Sequence, residues 1–183
     1  MPQFKVKIEN IVASVTLNVE VPLEKIVAKK EGMEYEPEQF PGLVYRISKP
    51  KAAALIFSSG KVVCTGARSL EDVGKVVRKV VSMIRSIGTK VPRNYKVQVE
   101  NIVASAKFDA PLNLDIIAFN LENSEYEPEQ FPGLVYRMDN PKVAFLLFSS
   151  GKIVCTGARN INDVHKAIRK VYRKLKEIGA LMK

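Results

Sequence analysis

The 183-residue chain is 46% apolar, with two cysteines, one histidine and a formal net charge of +10. That length holds one domain or two small ones with a real core, and no apolar run approaches the roughly 20 residues of a membrane helix. A lone His165 with Cys64 and Cys155 makes no metal set, and no nucleophile–base pair or phosphate-cradling loop is legible, so no enzyme, metal or cofactor is expected.

The start, MPQFKVKIEN, runs directly into a strand pattern, so no signal peptide is expected and the location read is cytoplasmic. Residues 1–91 carry 15 basic and 9 acidic residues and 92–183 carry 14 and 10, so the basic excess belongs to the body of the protein and not to a tail. Such an excess favours a polyanion partner, nucleic acid first; a lysine-rich solvated face is the other reading.

Residues 4–16 alternate with period two. Phe4, Val6, Ile8, Asn10, Val12 and Ser14 fall on one side of the predicted strand, and Ile11, Ala13 and Val15 on the other. A short helix follows Pro22, with Leu23, Ile26 and Val27 as its apolar stripe. Pro37 and Pro41 bracket a bend, and strands are predicted over 43–47, 52–57 and 62–65, with Gly66 ending the last. The turn between the last two is Ser58-Ser59-Gly60-Lys61.

Ser69 then caps a long helix. Leu70, Val73, Val76, Val77, Val80, Ile84 and Ile87 recur at helical spacing, and Gly88 closes it.

The order then starts again. The segment EYEPEQFPGLVYR stands at 34–46 and, letter for letter, at 125–137, and sliding 4–91 onto 95–182 without a gap leaves 47 of 88 positions identical. In the second copy Asn113 caps the short helix, with Leu114, Ile117, Ala118 and Leu121 behind it. Asn160 opens the long helix and Gly179 ends it. Two long units are too few for an open solenoid and are expected to pair into one pseudo-twofold body, with 1–91 as the first repeat and 92–183 as the second.

Each repeat reads strand, short helix, four strands, long helix. The helices cover one side of the sheet and leave the other bare. That bare side carries Asn10, Val12, Leu55, Phe57, Val63 and Thr65, repeated at Asn101, Val103, Leu146, Phe148, Val154 and Thr156. An apolar sheet face of this kind marks a binding surface or lies under a second layer or a dimer partner; the residues alone leave both open. Phe40, Phe57, Phe131 and Phe148 stand at strand ends beside turns, where a core plug is the ordinary role and a projecting ring the other.

YEPEQFPGLVYR, LIFSSGK, LLFSSGK, VCTGA and ENIVAS together strongly resemble the TATA-box-binding protein core, over essentially the whole chain and in its archaeal form. The resemblance implies an α+β two-repeat saddle: one curved antiparallel sheet of about ten strands with four helices on the convex face. It implies a general transcription initiation factor that binds the TATA box in the minor groove and bends it by wedge insertion, a mode this family exemplifies. Carried onto this chain, Phe40, Phe57, Phe131 and Phe148 would be the intercalating wedges. Asn10, Thr65, Asn101 and Thr156 would meet base acceptors. Val12, Leu55, Val63, Val103, Leu146 and Val154 would floor the groove, and Arg46, Ser59, Lys61, Arg68, Arg137, Ser150, Lys152 and Arg159 would hold phosphates.

Glu127, Glu129 and Gln130 would meet transcription factor B, with RNA polymerase recruited through the preinitiation complex. A homodimer off DNA and a nucleoid location complete the expectation; no membrane is involved. The departure from the family pattern is the basic charge, where many archaeal members are acidic. Two rival classes share such a face: a ligand-binding or assembly module, and a substrate-positioning domain of a nucleic-acid enzyme. The basic rows at Lys75, Arg78, Lys79 and Arg85 and at Lys166, Arg169, Lys170, Arg173 and Lys174 read as a solvated face or as a dock for acidic regulators.

Overall fold

Period-two burial runs through Lys51–Ile56, Lys61–Ala67, Lys142–Leu147 and Lys152–Ala158 and through part of Lys7–Thr16 and Val97–Lys107 in the structure, a computed structural model that describes residues 4–182. The first half contains β1 (Lys7–Thr16), α1 (Leu23–Lys29), β2 (Met33–Glu34), β3 (Leu43–Ser48), β4 (Lys51–Ile56), β5 (Lys61–Ala67) and α2 (Leu70–Ser86). The second repeats the order with β6 (Val97–Lys107), α3 (Leu114–Asn120), β7 (Ser124–Glu125), β8 (Leu134–Asp139), β9 (Lys142–Leu147), β10 (Lys152–Ala158) and α4 (Ile161–Glu177). The strands form one ten-stranded antiparallel sheet in the order β2-β3-β4-β5-β1-β6-β10-β9-β8-β7, so the expected α+β class with four helices is the one found. Two compact units are resolved: Asn10–Glu100, and the chain before Asn10 together with all that follows Glu100.

Within Asn10–Glu100, α2 packs on β4 and β5 through Val73, Val76, Val77, Val80 and Ile84. Beneath it lie Ala54, Ile56, Val62 and Cys64, all buried. In the other unit Val164, Ala167, Ile168, Val171, Tyr172 and Leu175 of α4 do the same against β10. Burial of aliphatic side chains at about 25 cal/mol per Å² is what holds each helix to its strands. The cysteines belong to this core: burial pushes the Cys64 thiol up to about 11 and Cys155 up to about 12, so both stay protonated and unreactive.

The helix starts follow from their side chains. Ser69 Oγ accepts the Asp72 N–H at 3.0 Å, Asn160 Oδ1 accepts that of Asp163 at 2.8 Å, and Asn113 Oδ1 that of Ile116 at 3.1 Å. Pro22 precedes α1 without a side-chain cap. Gly179 ends α4 at φ +75° with nothing within 4 Å of an added Cβ, so Gly179→Ala should cost only left-handed backbone strain, about 1 kcal/mol. Urea unfolding measures this, and a loss several times larger would show that the position does more than end the helix.

Four expectations need correction. Phe4 does not share the Asn10 side of a strand: β1 begins at Lys7, and Phe4 packs its ring 4.8 Å from Phe108 and 4.6 Å from Tyr172, with the helix-side core. Gly66 does not end β5, which continues to Ala67 through a shift in register against β1. Val27 and Leu70, placed on apolar stripes by spacing, are 38% and 55% exposed. Ala118 is likewise exposed.

Candidate nucleic-acid interface

The strand register builds the bare face row by row. In the unit Asn10–Glu100, Ser14 lies opposite Val63, Val63 opposite Leu55, and Leu55 opposite Val44. One step along the strands, Thr65 lies opposite Ala53 and Ala53 opposite Arg46. The second unit repeats both rows as Ser105–Val154–Leu146–Val135 and Thr156–Ala144–Arg137. Apart from the exposed arginines and the buried Ser105, these side chains are half-buried: they make a floor, with no second layer over it in this structure.

Every position in those rows is identical between the halves, as are Asn10 and Asn101 and Val12 and Val103. The helix side has drifted: Ala54 stands where Phe145 does, Ile47 where Met138, Val62 where Ile153, Val77 where Ile168, Val81 where Tyr172. Cores accept such changes when neighbours repack, and here Phe145 stacks on Tyr136 at 6.5 Å. Packing alone therefore does not explain a face held fixed in both copies.

The polar centre of each floor is set by a bulge. Gly66 adopts φ +102°, which a side chain rarely allows, and its N–H turns toward Asn10. Asn10 Oδ1 accepts that N–H at 2.6 Å, and Asn10 Nδ2 donates to Thr65 Oγ1 at 3.2 Å. Asn101 does the same with Gly157 N–H at 2.6 Å and Thr156 Oγ1 at 3.1 Å. Because a backbone N–H only donates, it fixes the amide orientation. The oxygen faces Gly66 and also accepts from the threonine hydroxyl, at 3.5 Å for Thr65 and 3.4 Å for Thr156, which leaves the second Nδ2 hydrogen to donate outward. Each half-site thus offers an outward donor in an otherwise apolar surface.

The aromatic pairs stand edge to face. Phe40 and Phe57 have centroids 5.8 Å apart, and Phe131 and Phe148 5.9 Å. Phe40 and Phe131 are 40% and 41% exposed, too open for core plugs. A Cβ on Gly42 would lie 2.7 Å from the Phe40 ring, and one on Gly133 2.7 Å from Phe131 and 2.9 Å from Phe148. These two glycines are the seats on which the ring pairs rest, and the period-two pattern gave no sign of that role.

The turn before each ring is tied down: Glu127 carbonyl accepts the N–H groups of Gln130 at 2.9 Å and Phe131 at 3.0 Å, leaving Glu127, Glu129 and Gln130 exposed.

The cationic residues are exposed but not equivalent. Lys61 opens β5 and Arg68 follows its end, so they stand at opposite ends of one floor strand, as Lys152 and Arg159 do for β10. Ser59 and Ser150 accept the N–H groups of Lys61 and Lys152 at 3.4 and 3.3 Å, which leaves each hydroxyl hydrogen free. Arg46 is held by Glu34, Nε to Oε1 at 3.2 Å, whereas Arg137 forms no ion pair among the described residues. Two clefts, of about 750 and 500 Å³, lie beside α2 and α4; the second reaches Arg137, and neither includes the apolar floor residues.

The sheet and its two matched half-sites define the class, a two-repeat α+β protein with one donor-centred apolar face per repeat. The family described as "Transcription factor TFIID (or TATA-binding protein, TBP)" matches residues 5–87 and 96–178. The TATA-box-binding protein of Methanothermobacter thermautotrophicus is 50% identical over 181 residues, covering 99% of this chain and all of that one. That of Pyrobaculum islandicum is 52% identical over 175 residues, 96% of this chain and 88% of its own. The structure of Methanococcus jannaschii TBP superposes with a TM-score of 0.89 at 47% identity, covering 94% of this chain and 99% of that one. The chain belongs to the TATA-box-binding protein family, a family of general transcription initiation factors. No helix among the described residues is long and apolar enough to cross a membrane.

Proposed function

We propose that the two repeats, 1–91 and 92–183, act as one DNA-binding domain that seats the minor groove of a TATA box on its bare face. The observation that carries this is the pair of donor centres at Asn10–Thr65 and Asn101–Thr156, each in an apolar floor. In the minor groove A·T and T·A pairs present only acceptors, while G·C adds the guanine N2 donor. Outward donors match the acceptors in either direction. A guanine amine pressed on Val12, Val63 or Leu55 loses its water and gains no partner, a cost of about 1–3 kcal/mol per pair. Discrimination therefore comes from rejection as much as from attraction.

Phe40 with Phe57 and Phe131 with Phe148 enter base steps at the two ends of the site and bend the duplex. Arg46, Ser59, Lys61, Arg68, Arg137, Ser150, Lys152 and Arg159 take phosphates, which position the protein without reading sequence. Of the two strand arginines, Arg46 on β3 and Arg137 on β8, Arg137 contributes more, because Arg46 must first give up Glu34. Arg137→Ala should weaken binding alike on all sequences and flatten the log–log salt dependence by about one unit. An unchanged slope would remove Arg137 from the phosphate set.

The identical site residues of the two halves leave the site without direction, so an asymmetric partner supplies it. Glu127, Glu129 and Gln130 form that contact, with transcription factor B, which brings RNA polymerase to the promoter. Because the Glu127 turn is closed by backbone bonds, Glu129→Arg should keep DNA binding and weaken factor B recruitment at least tenfold. Lost DNA binding with normal recruitment would reverse the assignment. Off DNA, the same apolar face is available to a second copy.

Gel shift of a TATA-like duplex against a G·C-rich control tests the proposal as a whole. Strong preference for the TATA duplex is expected. Equal retention of both, or of neither, would return the face to the ligand-binding or assembly reading.

A further inference from the structure

Helix α4 differs from α2 in what its outer surface offers. Between Asp163 and Glu177 it carries Lys166, Arg169, Lys170, Arg173, Lys174 and Lys176 and no acidic residue. Lys166, Arg169, Arg173 and Lys176 are exposed, and their spacing of three, four and three residues places them in one stripe roughly 15 Å long. None of the four forms an ion pair among the described residues. Three of the four cations of α2 have partners: Lys75 lies 3.5 Å from Glu71 and 4.0 Å from Asp72, Arg85 donates to the Val91 carbonyl at 2.9 Å, and Lys79 donates to the Lys49 carbonyl, as Lys170 of α4 does to that of Asn140; Arg78 alone on α2 pairs with none of the described residues.

We propose that the α4 stripe is a second DNA-binding surface, one that holds the phosphates of a duplex without regard to sequence. Four like charges along one helix repel each other, and only Lys176, in the last turn, is favoured by the helix dipole, so the stripe is relieved by a polyanion. Two occupants have that charge, an acidic protein and a nucleic acid. Specific protein interfaces need a buried apolar or aromatic centre. α4 has none to give: among the large hydrophobic residues exposed in the described chain, no residue of 161–177 appears. A duplex needs no such centre, since it presents one negative charge per about 1.7 Å of axis and is bound through phosphates and counterion release.

The placement adds a consequence. α4 packs on β10 from the side opposite Val154 and Thr156, so within this unit the stripe faces away from the floor. A duplex on the floor leaves the stripe open, and one molecule holds two segments of DNA. The second then binds at a raised effective concentration whenever both belong to one chromosome. This proposal does not depend on the floor's preference for A·T pairs.

The test replaces Lys166, Arg169, Arg173 and Lys176 together by Gln, all exposed positions, with circular dichroism to show the fold is kept. Anisotropy of a labelled G·C-rich duplex is titrated across monovalent salt for both proteins. The log–log slope should be shallower in the variant by about 3 to 4 units, the value for four phosphate contacts, with at least a tenfold loss at low salt. Sedimentation with a short TATA duplex and a G·C duplex carrying different dyes should show one protein with both for the wild type and with the TATA duplex alone for the variant.

An unchanged slope, or a wild type that never carries two duplexes, would overturn the proposal. So would poly-glutamate binding the stripe more tightly than duplex does, which would give the face to an acidic protein. Loss of TATA preference with the slope difference intact would count against the floor and leave the stripe standing.

Discussion

An Asn101→Asp protein is expected to keep its fold and to bind a TATA duplex about a hundredfold more weakly, the scale of a buried donor exchanged for an unpaired charge. The substitution is nearly isosteric. One carboxylate oxygen retains the Gly157 N–H that Oδ1 accepts at 2.6 Å. The other replaces Nδ2, which now donates to Thr156 Oγ1 at 3.1 Å, and the threonine hydroxyl turns to donate to it. The outward Nδ2 donor is lost and an anion is set against base acceptors and phosphates. Unfolding midpoints should agree within error while anisotropy on the TATA duplex falls. The new carboxylate can accept from a guanine amine, so a G·C pair at that step should recover part of the loss. Affinity within threefold of wild type would show that Asn101 serves the bulge and not the bases.

Much of this arrangement is legible in one sequence because the repeat doubles every signal. Period two separates Ile11, Ala13 and Val15 from Asn10 and Val12, and the structure keeps that separation. Ser69, Asn113 and Asn160 are caps in sequence and in space. The misses have local causes. Phe4 fits the period of β1, but the strand begins only at Lys7. Leu70 fits a helical stripe, but in the first turn that stripe overhangs the sheet and meets water.

The donor geometry was out of reach for a different reason. It needs Gly66 at φ +102° beside Asn10, two residues 56 apart in the chain, and no local pattern encodes that approach. Gly42 and Gly133 likewise read as turn glycines until the rings above them are placed.

The difference between what repeats and what drifts bears on function more than either half alone. The floor, the bulge and the ring seats recur unchanged, while the helix-side core recurs only in part (Ile11, Ala13, Leu43 and Cys64 are kept, Ala54, Ile47 and Val62 are not) and the charge pairing of α2 and α4 differs. A ligand with an approximate dyad explains the first. Surfaces met by different partners, or by one partner on one side, explain the second.

Phe148→Ala should change the shape of the bound DNA more than its affinity. Phe148 meets Phe131 edge to face at 5.9 Å, and both rings rest on Gly133. Opening a base step costs a few kcal/mol, repaid by ring contact with the bases, about 1–3 kcal/mol, together with the wider groove that the floor then fills. The wedge acts geometrically: it holds the step open and widens the groove for the floor. Without Phe148, the Phe131 ring loses its edge partner and has space to fall back toward the seat. Asn101, Val103, Val154 and Thr156 are untouched, so preference for A·T over G·C should persist, with binding weaker by about 1–3 kcal/mol. The bend should be measurably smaller, and the advantage of a flexible TA step at that end should fade, since deformability matters only where something deforms the step. Energy transfer between dyes on the two DNA ends, at saturating protein, reads the bend directly. Gly133→Ala, which displaces both rings without removing either, should reduce it in the same direction. If both variants bend the duplex as fully as the wild type, the sheet alone is the bending element and the ring pairs only shield the ends of the floor.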